Sequence, residues 1–478
     1  MEKKKTHKKG KTLMFSIETA DRVLRECLTT GGDYAEIFFE DTYKGGITMI
    51  SGKVDRVSTQ HLYGAGIRIL KEFKELYGYT SDCTEQGLLT LARNLRSGFE
   101  GEPVGLNFTL VEETAPAVSV RIDRESETVP PEEKVTYLRE LDGYMDGRDP
   151  RIVQRIINFN DTTQHVTIAN TKGKFIHDVR NQQRIYATAV AKDGGKSQSN
   201  GGSVGGNFGI DAFRQKNLKE LADQVCDACL TMLDAPEMVG GVYPVIIHNG
   251  FGGVLFHEAC GHSLEATSVA YGMSVFCGKK GEKIASDIVT AIDDGTVENE
   301  WGSLNIDDEG NPTRKNVLIK NGVLNSYMID DRNGRRMGME STGNSRRQSY
   351  RYSPTSRMTN TYIANGESTF EEIIAATEYG LFAKSMGGGS VNPVTGEFNF
   401  AVSEGYMVEH GKITHPVRGA TLIGNGANAL MGIDMIADNQ SFGHGMCGSR
   451  SGSIPANVGE PTIRIMNMTV GGNGKADK

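Results

Sequence analysis

The chain has 478 residues, a mass of 52.0 kDa and a formal net charge of −8 at pH 7. An acidic chain lacks the basic surface that nucleic-acid binding requires, so the sequence argues against DNA or RNA as the main partner. No apolar run reaches the roughly 18 residues that a membrane-spanning helix needs, and we expect a cytoplasmic protein without membrane association. The seven scattered cysteines indicate reduced thiols rather than a disulfide framework.

The N-terminal segment MEKKKTHKKGKTL is basic but is not followed by the apolar stretch of a signal peptide. We expect residues 1–13 to form a disordered tail, with Met14 as an alternative start. A helical pattern begins immediately afterwards, with Ala20, Val23 and Leu24 at helical spacing.

Short segments rich in Val, Ile, Tyr and Phe follow this helix and predict strands of an antiparallel or mixed sheet. These segments are YAEIFFE, GITMIS, YGAGIRIL and ELYGYT. Helical patterns then recur at EQGLLTLARNL and PEEKVTYLRELDGYM, before a second strand-rich run from Arg151 to Ala191. The segment DGGKSQSNGGSVGGNFG (193–209) has no periodicity and predicts a loop.

A domain boundary is predicted near Pro236, between the helix pattern NLKELADQVCDACLTMLDA and the strand pattern GVYPVIIHNG. Strands and helices alternate without a regular βαβ rhythm, which favours an α+β fold with mixed or antiparallel sheets and flanking helices. We therefore predict an N-terminal α+β domain at 14–235 and a C-terminal domain at 236–478.

The segment GVLFHEACGHSLEA (253–266) contains His257, Glu258 and His262 in the order H-E-x-x-x-H. Paired imidazoles are a common way to hold catalytic zinc, and H-E-x-x-H peptidases place their general base directly after the first histidine. The competing interpretation is a helix N-terminus with one histidine hydrogen-bonded in the core and a solvated glutamate. The motif therefore favours a metal site in the C-terminal half of the chain.

The spacing of the two histidines is one residue longer than in H-E-x-x-H. Side chains five residues apart point about 140° apart on a regular α-helix, so His257 and His262 would diverge. A π-turn accommodates one extra residue, and Gly261 suits such a distortion or a helix end. The sequence therefore predicts a distorted or terminating helix on which both histidines converge.

Two histidines leave a zinc ion at least one protein ligand short. Glu265 is three residues beyond His262, and His444 and Cys447 lie together in the glycine-rich segment SFGHGMCGSRSGSIP. Spacing does not choose among these three candidates. His444 is also a candidate to stabilise an oxyanion.

Four other features have simpler interpretations. CDAC (226–229) has redox-motif spacing but lies in an apolar helical pattern, which predicts core packing. GGSVG (201–205) matches a nucleophile elbow without the required strand and helix, which predicts a flexible loop. DDEG (307–310) predicts a turn rather than a cation site. Arg357 fits either a peptide-carboxylate contact or a pair with an acidic neighbour.

Several segments of the chain resemble the TldD/PmbA family of zinc metallopeptidases, once described as modulators of DNA gyrase. The matching stretches run in one order and include YGAGIRILKEFKELYGYTS, LFHEACGHSLEA, GEFNFAVSEGYMVEHGKITHPVRGATLIGNG and GMCGSRSGSIPANVGEPTIRIMNMTVGG. The resemblance extends from about Ser16 to the C terminus. It is closest to the TldD branch, which keeps the zinc motif that the PmbA branch has lost.

The resemblance implies one zinc ion per subunit, held by His257, His262 and Cys447, with Glu258 as the base that activates water. It implies a peptidase that acts on peptides or unfolded protein segments, in maturation or degradation. It also implies a homodimer or a heterodimer with a zinc-less paralogue.

Three alternatives to this interpretation stay open at the level of sequence. The first is a non-catalytic, chamber-forming subunit of a heteromeric peptidase. The second is a structural zinc site, although such sites usually have four protein ligands. The third is a latency switch, in which the Cys447 thiolate blocks the open position of the metal.

Overall fold

The computed structural model describes residues 15–117, 122, 124–392 and 395–475. The predicted tail at 1–13 and Met14 lie outside these residues. The helices of the described ranges are α1 (Ile17–Cys27), α2 (Glu85–Arg96), α3 (Pro131–Met145), α4 (Leu218–Asp234), α5 (Val254–Phe256), α6 (Ala266–Val269), α7 (Asp331–Met337), α8 (Phe370–Ala375) and α9 (Gly426–Met431). None of these helices combines the length and apolar character needed to cross a bilayer.

The strands form several sheets. In chain order they are β1 (Tyr34–Ile50), β2 (Lys53–Lys71), β3 (Lys74–Thr80), β4 (Val111–Thr114), β5 (Ile152–Asn170), β6 (Lys174–Asp193), β7 (Lys196–Asn207), β8 (Gly241–Ile247), β9 (Ala291–Asp294), β10 (Lys315–Lys320), β11 (Val323–Leu324), β12 (Ser345–Arg346), β13 (Thr355–Ser356), β14 (Asn360–Ile363), β15 (Tyr379–Val391), β16 (Glu397–Glu409), β17 (Lys412–Val417), β18 (Thr421–Asn425), β19 (Ile433–Ile436), β20 (Ser441–Ser449), β21 (Gly452–Glu460) and β22 (Ile463–Gly471). Together with the helices, they confirm the predicted α+β class.

The first sheet has seven strands in the order β3-β2-β1-β5-β6-β4, with β7 paired to β6. Helices α1 and α2 pack on part of it, around Leu24, Phe39 and Ile67. Helices α3 and α4 cover another part, around Leu138 and Phe159. The predicted first helix is confirmed, since α1 begins after the N-cap Ser16 and buries the apolar side chains at helical spacing.

The prediction of a loop over 193–209 is wrong, because most of this segment is strand β7. It pairs antiparallel with β6 along its whole length, from Lys196 opposite Asp193 to Asn207 opposite Gln182. Strands pair through their backbones, so a strand can form without an alternating side-chain pattern. In β7, close neighbours also require small residues. A Cβ on Gly201 would lie 2.4 Å from the Tyr186 hydroxyl.

The C-terminal half contains two larger sheets. One has the order β11-β10-β9-β14-β21-β20, and the other has the order β15-β8-β22-β18-β16-β17 with β19 paired to β22. Both contain parallel and antiparallel pairs, since β14 runs parallel to β21 and β15 parallel to β8. An apolar core fills the C-terminal half and includes the buried segment that carries the H-E-x-x-x-H motif.

A buried ion-pair network joins the first sheet to the C-terminal half. Arg68 of β2 lies 2.6 Å from Glu36 of β1 and 2.5 Å from Glu309, and all three side chains are inaccessible to solvent. Arg347 contacts the other oxygen of Glu36 at 2.6 Å. Arg180 of β6 pairs with Asp308 at 2.7 Å. The DDEG segment is therefore a turn, as predicted, and two of its acidic groups, Asp308 and Glu309, bind arginines.

Replacing Arg68 with Met should destabilise the protein strongly, because the buried Glu309 would lose its arginine and the buried Glu36 would keep only Arg347. Removing one partner of a buried ion pair costs about 3–5 kcal/mol. Chemical denaturation followed by circular dichroism measures this loss. Arg22→Gln is the matched control, since its pair with Glu85 is solvent-exposed at 52% and 42% and should change the unfolding midpoint little. Equal effects of the two variants would contradict the importance of the buried network.

Candidate metal centre

The H-E-x-x-x-H segment forms a short, irregular helix, as predicted. Strand β8 leads through a 3₁₀ turn at Phe251–Gly253 into α5, and His257–Gly261 then forms a π-helical turn. A 3₁₀ turn at His262–Leu264 ends the helix. The wider turn absorbs the extra residue between the two histidines.

Close packing on two sides explains the glycine before α5, Gly253, and the glycine that ends the π-turn, Gly261. A Cβ on Gly253 would lie 2.5 Å from the backbone of Gly459 in β21. A Cβ on Gly261 would lie 2.4 Å from the sulfur of Met358, whose side chain is fully buried. The helix is thus fixed between β21 and Met358.

His257, His262 and Cys447 converge at this turn. The Cys447 Sγ atom lies 3.2 Å from His257 Nε2 and 3.4 Å from His262 Nε2. One ligand atom from each of the three residues lies within 4.8 Å of the other two. The imidazole rings are nearly perpendicular, at 84°. The competing interpretation, in which one histidine is hydrogen-bonded in the core and the glutamate is solvated, does not describe this arrangement.

These separations fit a tetrahedral metal ion. Zinc–nitrogen bonds of about 2.05 Å and zinc–sulfur bonds of about 2.3 Å place neighbouring N and S ligands about 3.6 Å apart. The observed N···S distances of 3.2 and 3.4 Å are within a few tenths of an ångström of that value. Among the residues that the structure describes, this donor group has three members, which leaves one tetrahedral position for water or substrate.

Glu265 supports His262 instead of joining the donor atoms. Its Oε2 lies 3.2 Å from His262 Nδ1, on the side of the ring away from Cys447. Carboxylates in this position fix the orientation of a metal-binding histidine. His257 differs, because its buried Nδ1 has no hydrogen-bond partner within the described ranges.

Arg357 connects the supporting carboxylate to the strand that carries the cysteine. Its guanidinium is fully buried, donates hydrogen bonds to the carbonyl oxygens of Cys447 and Gly452, and lies 3.9 Å from Glu265. The sequence allowed Arg357 to contact a peptide carboxylate or an acidic neighbour, and the structure shows the acidic neighbour, Glu265. Arg357 anchors the turn between β20 and β21 and so positions the thiol.

The three converging groups favour a thiolate. Burial alone would raise the pKa of the Cys447 thiol, but His257 and His262 outweigh it and hold that pKa well below its ordinary value. For His262 the effects are reversed: burial alone would lower its pKa, but Glu265 and Cys447 hold that pKa well above its ordinary value. Since the thiolate is the form that binds metals, the cysteine is prepared as a ligand.

Glu258 lies beside the donor group with its carboxylate partly exposed. Its Oε2 is 3.8 Å from His262 Nε2, and 31% of the side chain is accessible to solvent. A carboxylate in this place can reach a water molecule next to the ligands, which is what a general base requires.

His444 lies outside the donor group, although it is only three residues before Cys447. Its Nδ1 is 3.3 Å from the Ser203 hydroxyl, and its ring packs edge-on against Trp301. Burial and the nearby Arg184 and Lys216 lower the pKa of His444 to about 3, so the imidazole is neutral at physiological pH.

The GGSVG and CDAC segments have structural roles. Ser203 lies within β7 rather than on a sharp turn, and in the part of the chain that the structure describes no carboxylate orients the neutral His444 beside it as in a catalytic triad. Cys226 and Cys229 are buried in the core between α4 and the first sheet, as predicted. All seven cysteines lie in the described ranges, and each is a free thiol.

A cleft of about 670 Å³ is lined by segments that adjoin the donor residues in the chain. The lining includes the glycine-rich parts of β7 and β15 and the first six residues of β20, the strand that also carries Cys447. It also includes His248–Gly252, which lead into the H-E-x-x-x-H helix. Two of the segments that carry the donor group thus also line the cleft.

A second group of metal-type donors, which the sequence interpretation missed, lies on the first sheet. His165 Nε2 is 3.5 Å from Glu125 and 3.8 Å from Glu127. Glu125 and Glu127 lie about 40 residues before His165 in the chain, so no local motif marks the group. All three are partly exposed, and the group is a surface cluster of ionisable side chains.

A buried His–His–Cys donor set with an open position and an adjacent glutamate is the arrangement of a single-metal hydrolase. Comparisons with known proteins agree with this class. The PmbA/TldA metallopeptidase family matches the chain with its domain 1 over residues 35–97, its central domain over 124–233 and its C-terminal domain over 240–472. The chain therefore belongs to the PmbA/TldD family of metallopeptidases.

Individual relatives cover nearly the whole chain. The metalloprotease TldD homologue of Haemophilus influenzae is 35% identical over 92% of this chain and 93% of its own length. The TldD homologue of Buchnera aphidicola from Acyrthosiphon pisum is 32% identical over 94% and 95%. The solved structure of TldE from Thermococcus kodakarensis has a TM-score of 0.75 at 18% identity, covering 95% of this chain and 98% of that one.

Replacing Gly261 with Ala should weaken metal binding, because the added methyl group would push against Met358 and disturb the π-turn. Overpacking of this kind costs about 1–3 kcal/mol, which corresponds to a loss of about 5- to 150-fold in metal affinity if the strain falls on the site. Competition with a chromogenic chelator measures the affinity.

Two further variants make this test specific. Met358→Ala combined with Gly261→Ala should restore part of the affinity by providing room. Gly143→Ala is the control, since a Cβ there meets nothing within 4 Å and lies in helix α3. Unchanged zinc affinity in Gly261→Ala would contradict the role assigned to the close packing.

Proposed function

We propose that this protein is a zinc-dependent peptidase that hydrolyses peptide bonds in peptides or unfolded protein segments. The observation that carries the proposal is the convergence of His257, His262 and Cys447, with Glu258 beside them. Membership of a metallopeptidase family supports the same reaction.

Zinc is the metal that this donor set favours. Two imidazoles and one thiolate are borderline and soft ligands, whereas magnesium, calcium and manganese prefer oxygen donors. The near-tetrahedral separations suit a d¹⁰ ion without a geometric preference of its own. A structural zinc site would normally be closed by a fourth protein ligand, and the described donors number three.

When bound, zinc supplies Lewis-acid chemistry, by which it polarises the scissile carbonyl group and acidifies water. The residues of the chain provide the remaining functions. His257, His262 and Cys447 hold the ion, and the thiolate contributes negative charge that makes water activation more dependent on a base. Glu258 accepts the proton of the attacking water and transfers it to the leaving amine.

The shape of the cleft supports an extended peptide as substrate. Glycine-rich walls allow a peptide backbone to approach closely, and β20 continues from the cleft to Cys447. A folded protein presents few such segments, which favours short peptides and unfolded chains.

Pairing with a second copy or with a zinc-less paralogue, expected from the resemblance, belongs to the same proposal. Light scattering of the purified chain measures its oligomeric state.

Replacing Glu258 with Gln should abolish peptide cleavage while zinc remains bound. General acid–base catalysis contributes about 10²- to 10⁴-fold to a rate, and the neutral amide cannot accept the proton. Hydrolysis of an unfolded peptide, followed by mass spectrometry, and zinc quantified by elemental analysis measure both quantities. Cleavage at more than a tenth of the wild-type rate would remove Glu258 from this role.

Replacing Cys447 with Ala should empty the metal site and abolish cleavage together. The thiolate supplies one of three ligands, and two histidines alone bind zinc weakly. Zinc content and peptide cleavage are compared with those of Glu258→Gln, the variant expected to keep its metal. A Cys447→Ala protein that retains zinc and cleaves faster than wild type would instead identify the cysteine as a latency switch.

A further inference from the structure

Arg184 is an uncompensated cation in the wall of the cleft. Within the described ranges its guanidinium forms no ion pair, and its buried Nε has no hydrogen-bond partner. Arg180 lies four residues earlier on the same strand and pairs with Asp308 at 2.7 Å. The contrast indicates that Arg184 is not held by the fold in the same way.

The acidic group of the cleft wall does not neutralise Arg184. Glu404 is the acidic residue among those lining the cleft, and its carboxylate accepts hydrogen bonds from Lys384 at 2.8 Å and from the Tyr406 hydroxyl at 2.7 Å. The positive charge of Lys384 is thereby matched. Arg184 is left as the unmatched charge of the cleft, and partial burial strengthens its attraction for an anion.

Aromatic rings orient the Arg184 side chain. The guanidinium carbon lies 5.3 Å from the centre of the Tyr186 ring and 6.0 Å from that of Trp301. Rings hold an arginine through cation–π attraction while its N–H groups stay available. Such an arginine is preorganised to bind a carboxylate through two parallel hydrogen bonds.

The position of Arg184 relates it to the metal centre through β20. Trp301 donates a hydrogen bond to the carbonyl oxygen of Gly445 and packs against His444. His444 is three residues before Cys447, which is about 10 Å along an extended strand. Arg184 lies beyond Trp301 from His444, so an extended peptide needs at least about three residues to connect Arg184 with the metal centre.

We propose that Arg184 determines substrate preference by binding a carboxylate of the peptide several residues from the bond that is cleaved. The carboxylate belongs either to the C terminus of the substrate or to an Asp or Glu side chain. This inference rests on the proposed peptidase function and names the substrate chemistry that the cleft selects.

Trp301 provides a direct test by binding rather than by cleavage, because it is the single tryptophan of the chain and lies next to Arg184. Zinc-loaded Glu258→Gln protein is titrated with unlabelled peptides while tryptophan fluorescence is recorded. Three kinds of peptide are built on one sequence without charged side chains: the free acid, its C-terminal amide, and a series of amides that each carry one Glu at a different position. A charge-assisted hydrogen bond predicts about tenfold tighter binding of the carboxylate that reaches Arg184.

Variants of Arg184 in the same background separate its charge from its bulk. Arg184→Gln should remove the tenfold preference and leave the affinity for the neutral amide unchanged, which also shows that the cleft is intact. Arg184→Lys should keep part of the preference, and Arg184→Glu should favour a Lys-bearing peptide. Arg93→Gln removes one charge from α2, away from the cleft, and should keep the full preference.

The outcomes distinguish this inference from the proposed function. Equal binding of all three kinds of peptide to the parent protein, or a preference that survives in Arg184→Gln, would overturn the role of Arg184 even if wild-type protein cleaves peptides. If the preference depends on Arg184 but the wild-type protein cleaves no peptide, carboxylate binding by Arg184 would be supported and the proposed peptidase function overturned. A tenfold preference for the free acid over its amide identifies the C terminus as the bound group, whereas a preference for one Glu position identifies a side chain.

Discussion

The π-helical turn at His257–Gly261 is the geometric constraint on which the metal centre depends. In a regular helix the two histidines would point in divergent directions, and no third ligand could serve both. The widened turn aims them at one point, and the contacts of Gly253 with β21 and of Gly261 with Met358 keep it widened. The extra residue between the histidines is therefore part of the site's construction and not a defect in a zinc motif.

The cleft depends on contacts between the two halves of the chain. Its walls combine β6 and β7 of the first sheet with β15 and β20 of the C-terminal sheets. The buried ion pairs of Arg68 with Glu309 and of Arg180 with Asp308 join the first sheet to the turn at 307–310 of the C-terminal half. These pairs therefore help to hold together the two halves that supply the walls of the cleft.

The sequence predicted the elements with local patterns and the distorted motif helix, because periodicity and residue spacing are local properties. It did not predict β7, since the glycines of that strand are selected by neighbours such as Tyr186 and not by any pattern within the segment. Spacing also did not choose the third ligand among Glu265, His444 and Cys447. The choice depends on which side of the His262 ring each group occupies, and that is decided by the pairing of β20 with β21 and by Arg357.

The supports of the donor group have a consequence for how the protein is made. Arg357 holds the Cys447 strand, Glu265 holds His262, and Met358 holds the helix, all through contacts between protein groups. In small zinc domains the ion is what folds the chain, so that metal uptake and folding are one event. Since these contacts position the ligands in this protein, we expect folding and metal uptake to be separate events. Under the proposed function, the supply of zinc, and not protein synthesis alone, would then set how much of the folded chain is competent.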